Sequence, residues 1–461
     1  MLSSPRSRRL LGLALVVRAA ASCEAAPCHS INSGIIATTP VDPPVICPVV
    51  IPTDTHAAER AACAFTAGAS VAETLGISAA LSRAIPIRHV VVLMQENRSF
   101  DHLFGRLHEQ GQPAVEPIPR TFANNDLYDF RVTPYRADTT CLAANPSHQW
   151  AAMHAAVNGG AMDGFVGAAA VSTLSDGHVA MTYYTREELP FNYWLASTWA
   201  LNDRHFASVR SGTTPNRAFL LLGTNDGIKQ SGHRLPAAST PSILDGLAAQ
   251  GFSYGIFSDG ALLGGVARKT HDDSNCYCFD DFLAQLDNGT LPNVAFVDGV
   301  ASLTNDHPDA DLQAGEAYLR KIYEHAIRSP EWPRLALIWV YDEGGGFADH
   351  VPPPERACVA RPTAADEPFF ELGPRVPLVV ISPYAKPSYV SHVSQDHTAI
   401  TRFIEVVFAL PALTARDANS TALLDLFDFS CAPPMLTPPR APPAGTGGCV
   451  QVVASPLGDG S

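Results

Sequence analysis

VVVLMQENRSFDH, residues 90–102, is the stretch on which the fold turns. Val90 to Met94 is apolar at every position and too short for a core helix. A β-branched run without alternation suits a strand buried on both faces of a parallel sheet. The chain turns polar at once, with Gln95, Glu96, Asn97 and Arg98. The same pattern recurs in FSYGIF (252–257), VAFV (294–297), LALIWVY (335–341) and VPLVVIS (376–382). Helical stripes lie between and after these runs. Leu319, Ile322, Tyr323, Ala326 and Ile327 form one, ending before Ser329–Pro330. Ile400, Phe403, Ile404, Val407 and Phe408 form another. Alternating strand and helix predicts an α/β protein: a three-layer α/β/α sandwich with a mostly parallel central sheet.

In such sheets ligands bind beyond the carboxyl ends of the strands. Glu96–Asn97 follows the first run and Asp342–Glu343 follows LALIWVY. Asp298 and then Asp306–His307 follow VAFV, and Asp396–His397 come some way after VPLVVIS. Carboxylates with a carboxamide oxygen form a hard shell suited to Ca²⁺, Mg²⁺ or Mn²⁺. A single acidic strand end reads equally well as a helix cap. Two in one sheet favour a site.

SGTTPNR (211–217), followed by AFLLLG, reads as a helix start with Pro in the first turn. A hydroxyl there faces the positive helix end, where phosphate binds well. A Thr hydroxyl needs a base or a metal to become a nucleophile; otherwise it is a cap. His148, His307 and His350 gain meaning only if the fold brings them together, where they would bind phosphate oxygens or protonate a leaving group.

Composition narrows the field. The 461 residues are 46% hydrophobic, too apolar for a disordered chain. A formal charge of −14 argues against nucleic acid as a partner. No apolar run reaches the roughly 18 residues of a membrane span.

Residues 1–22 read as a signal peptide: Arg6, Arg8 and Arg9, an apolar stretch from Leu10 to Val17, then Ala19–Ala20–Ala21. The protein is therefore expected to be exported, periplasmic or secreted, with lipid anchoring through Cys23 as a variant of that expectation. Ten dispersed cysteines then read as disulfides rather than zinc ligands. Cys276 and Cys278 form only a weak CxC metal signal. Cys431 and Cys449 bracket a Pro-rich tail and are expected to close it as a loop. The expected organisation is a signal at 1–22, a Pro/Cys-rich lead-in at 23–62, a catalytic domain at 63–430 and a Pro/Gly-rich tail at 431–461.

IRHVVVLMQENRSFDHLFG (87–105) resembles the signature of a bacterial phosphoesterase family that includes non-specific phospholipases C and exported acid phosphatases, within the alkaline-phosphatase superfold. The resemblance continues in order through HQW…HAAVNGGAMDGF (148–165), YYTREELPFNYWLA (183–196), SGTTPNR (211–217), DHPDADLQAGEAYL (306–319), WPRLALIWVYDEGGGFADHVPPP (332–354) and RVPLVVISPYA…DHTAITRFIE (375–405). It implies that Glu96, Asn97, Asp342 and Glu343 hold one divalent metal ion. Thr213, the first Thr of the segment, matches the nucleophile, and His148, His307 and His350 match the histidines. Asn216 and Arg217 lie beside the nucleophile, with Arg217 in structural support.

The implied reaction is metal-dependent hydrolysis of a phosphate ester through a phospho-threonine. The substrate is a phospholipid or a phosphomonoester, with peripheral membrane contact in the former case; the oligomeric state stays open. Two departures stand out. Gly344 replaces the Asn or His of many relatives, and the chain ends soon after the catalytic blocks, which favours the compact acid-phosphatase reading. An exported binding protein with a degenerate, inactive phosphoesterase fold is the alternative.

Overall fold

The structure is a computed structural model that describes residues 47–232, 236–237, 239–259, 266, 276–354, 357–360 and 369–449. The expected signal segment, Cys23 and the lead-in up to residue 46 lie outside the described residues.

Eight strands form the central sheet: β1 (His89–Gln95), β2 (Ala200–Asn202), β3 (Tyr254–Phe257), β4 (Cys276–Tyr277), β5 (Val294–Asp298), β6 (Leu335–Tyr341), β7 (Leu378–Ile381) and β8 (Val390–Ser391). Their order is β8-β2-β7-β6-β1-β5-β3-β4. The two longest, β1 and β6, lie side by side at the centre. Every residue of β6 is buried, as continuous apolar character demands of a strand covered on both faces.

β7 departs from expectation. It runs antiparallel to both β6 and β2, while the other seven strands share one direction. An inner strand reads as an unbroken apolar run in either direction, so VPLVVIS carried no directional signal. Its carboxyl end points away from the site, where Ser382 Oγ donates to Leu335 O at the start of β6. His397 therefore reaches the site by way of β8, a two-residue strand, while Asp396 is bonded to Arg416 and Thr398.

The helices used below are α1 (Phe100–Phe104), α2 (Trp150–Val157), α3 (Phe165–Thr173), α4 (Thr213–Leu222), α5 (Ile243–Ala249), α6 (Phe279–Asn288), α7 (Leu312–Ala326) and α8 (Thr398–Phe408). α4, α5 and α8 pack together, as do α6 and α7, and these two groups flank the sheet. The predicted stripe of α7 is its buried face, through Leu319, Ile322, Tyr323 and Ala326. α8 is buried at every position, so its stripe understates its burial. α2 and α3 form a separate lobe around Met153, Val157, Phe165 and Val166, with Ala348 of the site loop in its core.

Disulfides join Cys47 to Cys431, Cys63 to Cys358 and Cys141 to Cys449, and Cys278 is also disulfide-bonded. The expected Cys431–Cys449 loop is thus wrong. The tail does not fold back on itself; it runs as a strap over the body. Trp332 Nε1 donates to Leu436 O, Gly447 N to Gln313 Oε1 and Cys449 N to Asp311 Oδ2. These contacts carry Cys449 to Cys141.

Candidate active site

Strand register builds the site. Gln95 sits opposite Tyr341, and Met94 opposite Asp298. Three adjacent strands, β6, β1 and β5, therefore deliver Asp342, Glu96 and Asp298 to one edge. The chain then turns sharply at Asn97 (φ +63°), a left-handed conformation that Asn tolerates better than most residues. This turn aims Asn97 N at Asp342 Oδ1, 3.1 Å away.

Asp342 accepts three hydrogen bonds, which leaves one lone pair on Oδ2. Its Oδ1 also accepts from Glu343 N at 2.7 Å, and its Oδ2 accepts from Arg217 Nε at 3.1 Å. Arg217 rises from α4, is fully buried, and reaches Asp298 Oδ1 (2.5 Å), Met94 O (3.2 Å) and Glu96 Oε1 (3.5 Å). Burial works against its charge, but Asp298, Asp342 and Glu96 hold the guanidinium firmly protonated. Asn305 Nδ2 donates to the other Glu96 oxygen at 3.1 Å.

α4 begins at Thr213 behind Gly212. Its first turn is clamped by Asn216, whose Oδ1 accepts from Val209 N while its Nδ2 reaches Val209 O, Ser211 O and Gly212 O. Thr213 is thereby fixed with Oγ1 donating to Asn97 Oδ1 at 3.3 Å. The other Asn97 terminus, Nδ2, lies 3.2 Å from His148 Nε2. His148 Nδ1 donates to Pro146 O at 3.1 Å, so Nε2 is left as the acceptor. Burial lowers the His148 pKa and keeps this tautomer neutral. His307 stands edge-on to His148, ring centroids 6.2 Å apart, with Nδ1 on Asp309 Oδ1 at 2.9 Å.

The structure thus brings together Glu96, Asn97, Asp342, Glu343, Thr213, His148 and His307. His350 belongs to a different cluster. Its Nδ1 binds Asp101 Oδ2 at 2.7 Å, and Arg375 spans Asp101 Oδ1 and Asp349 Oδ1, both at 2.8 Å. Burial opposes the His350 charge, yet Asp101 raises its pKa overall. Asp101, Asp349 and His350 converge closely enough to hold a cation, but Arg375 already pairs with both carboxylates.

The fit of a divalent cation to the expected set turns on one atom. Glu343 Oε2 accepts from Gly345 N at 2.7 Å, whereas Glu343 Oε1 is buried without a hydrogen-bond partner, 3.8 Å from His148 Nε2. Burial and the neighbouring Asp342 push the Glu343 pKa well up, and burial does the same to Glu96. Four buried carboxylates, Glu96, Asp298, Asp342 and Glu343, face one buried guanidinium. A bare oxygen and excess negative charge fit a hard cation. Among the described residues, Glu96, Asp342 and Glu343 do not converge as tightly as the Asp101 cluster, because Arg217 is inserted between Glu96 and Asp342.

The partners of some functional neighbours carried no sequence signal. His397 Nε2 donates to Asp342 O at 2.6 Å, backed by His205 Nε2 at 3.2 Å from His397 Nδ1. Asp298, though visible at a strand end, gave no hint that it pairs with Arg217.

The sequence profile of the Phosphoesterase family matches residues 87–411. The chain is 32% identical to the Mycobacterium tuberculosis protein named phospholipase C B, over 83% of this chain and 87% of that one. It is 29% identical to the Arabidopsis thaliana protein named non-specific phospholipase C3, over 73% of this chain and 72% of that one. Among solved structures, a Vibrio parahaemolyticus protein of the alkaline phosphatase superfamily is 11% identical, with a TM-score of 0.35 over 73% of this chain and 69% of that one.

Proposed function

The chain belongs to the phosphoesterase family, whose reaction class is hydrolysis of phosphate esters, and we propose that it cleaves the phosphodiester of a phospholipid with Thr213 as nucleophile. The observation that carries the proposal is the meeting of Thr213, Asn97 and His148 beside the carboxylates at the ends of β1 and β6.

Glu96, Asn97, Asp342 and Glu343 would hold one divalent ion, of the Ca²⁺, Mg²⁺ or Mn²⁺ type. When bound it would supply Lewis-acid stabilisation of charge on the phosphoryl oxygens. Asn97 orients the Thr213 hydroxyl, and Asn216 holds the helix start rigid beneath it. Thr213 Oγ1 attacks phosphorus and gives up its proton to solvent water. The bond to the leaving alcohol breaks, and the phosphoryl group stays on Thr213. His307, oriented by Asp309 and next to His148, gives its proton to the leaving oxygen. Water then attacks the phospho-threonine: its hydroxyl joins phosphorus, its proton returns to His307, and the departing Thr213 oxygen takes a proton back from solvent. His350 is tied to Asp101 and Arg375, which supports His307 rather than His350 as the donor. The disulfides support export.

The relatives named phospholipase C, matched over most of their length, support a diester substrate over a monoester. The test is an assay of the purified protein on phosphatidylcholine, a soluble phosphodiester and a soluble phosphomonoester, before and after prolonged chelation. Release of diacylglycerol, lost on chelation and restored by one of the three cations, is expected. Activity on the monoester alone would favour the phosphatase reading, and inactivity on all three would favour the degenerate binding protein.

A further inference from the structure

Most large apolar side chains of this protein are buried, which makes a local group of exposed ones informative. Leu127, Tyr128 and Phe130 are 63%, 81% and 69% exposed, although they are adjacent on one hairpin tip. The exposure is built. Asp126 Oδ1 accepts from both Tyr128 N and Phe130 N, and Asp126 N donates to Phe130 O, so the tip is held in shape. Below the tip, Asn124 Oδ1 caps the start of α3 by accepting from Phe165 N at 2.7 Å.

A second apolar group stands at the far end of α3. Val171 is 70% exposed, and Leu174, just past the helix, is 93% exposed. His178 links the two groups, with Nε2 3.3 Å from Asp126 Oδ2 and Nδ1 3.7 Å from Asp176 Oδ2. This same end of α3 borders the active site, since Ser147 N, next to His148, donates to Ser172 Oγ at 2.9 Å. The hairpin tip, the Leu174 turn and the site rim are therefore parts of one small lobe. α3 has nine residues and spans only about 14 Å.

We propose that this surface, Leu127, Tyr128 and Phe130 with Val171 and Leu174, inserts into the lipid–water interface of a zwitterionic bilayer and sets the site rim against it. The proposal rests on the phospholipid reading above and names how that substrate is reached. Aliphatic and aromatic side chains on a fixed tip suit the acyl–headgroup boundary, where Tyr is especially at home. Charge selects the lipid. Asp126, Asp129 and Asp176 flank the apolar groups and outnumber the adjacent cation Arg131, which complements the outward ammonium groups of a choline layer and opposes an anionic one.

The test is sedimentation of the full protein with phosphatidylcholine vesicles and, separately, phosphatidylglycerol vesicles, for the wild type and for Leu127→Ser/Tyr128→Ser/Phe130→Ser. The wild type should pellet with phosphatidylcholine and less with phosphatidylglycerol. Partition of the variant should fall about tenfold or more, because three apolar contacts are lost. Hydrolysis of a soluble phosphodiester should be unchanged, since none of these residues touches the site. Leu174→Ser, made alone, should give a smaller loss in the same direction. Equal partition of variant and wild type, tighter binding to phosphatidylglycerol, or a wild-type dimer abolished by the triple substitution would overturn the proposal. A protein that binds vesicles but hydrolyses nothing would refute the catalytic reading and leave the membrane surface standing.

Discussion

Arg217 Nε donates to Asp342 Oδ2 across 3.1 Å, which places a buried guanidinium on a carboxylate of the expected metal-binding set. The same side chain reaches Asp298 and Glu96, so one cation holds three strand ends together. Breaking a buried ion pair from one side costs about 3–5 kcal/mol, because the partner charge stays buried. Arg217→Met should lose stability on that scale in urea unfolding. A loss below about 1 kcal/mol would mean that the carboxylates are held by something else.

Thr213→Ala should keep the fold and lose turnover by at least about 10³-fold, as removal of a covalent nucleophile does. Thr213→Ser should retain most of it. Turnover of the Ala variant within tenfold of wild type would exclude Thr213 as the attacking group.

Three successive glycines follow Glu343, and they are not equivalent. A Cβ on Gly344 would meet Pro374 and Ser99 at an ordinary 3.5 Å, so a side chain there has room at its root. Gly345 has φ +66°, and a Cβ would come within 2.0 Å of Asn97 O. Gly344→Ala should melt within a few degrees of wild type. Gly345→Ala should lose about 1–3 kcal/mol through backbone strain, and more through displacement of Asn97. Equal melting temperatures would contradict the close approach of these two loops.

Asp306 offers a pH signature. Burial pushes its carboxyl up to about 7, against the Tyr341 hydroxyl and the Arg98 charge. It is wedged against Gly315 of α7, where a Cβ would meet Asp306 Oδ1 at 1.7 Å. An acid with a raised folded pKa favours folding at low pH. That stability is lost as pH rises from the unfolded value, about 4, through the folded value of about 7. Asp306→Asn tolerates the same left-handed backbone (φ +70°) and removes the titration. The stability of the variant relative to wild type should increase by on the order of 4 kcal/mol between pH 4 and pH 8. A difference that does not change with pH would rule out the buried proton.

The fold, and the meeting of the residues expected to hold a metal, were legible where they rest on periodicity and on strand ends. β1, β5 and β6 are long enough to declare themselves, and register alone then forces Glu96 and Asp342 together. β2 and β8 were invisible, because strands of three and two residues carry no pattern. The direction of β7 was equally hidden, since burial on both faces is the same for either direction. Asn305 and His397 join the site only through tertiary packing. The disulfide partners were misjudged for a related reason: closeness in sequence suggested Cys431–Cys449, whereas the strap over α7 chose Cys141.

The three described bridges interleave. Cys47, Cys63 and Cys141 all lie before the residues they join, Cys358, Cys431 and Cys449. A single protease cut anywhere between residues 141 and 358 therefore yields two polypeptides still fastened at three points or more. Without reductant the nicked protein would migrate as one species, and with reductant as two. Outside the cell, where proteases act and reductants are scarce, the enzyme would survive the severing of its own backbone as one covalent molecule.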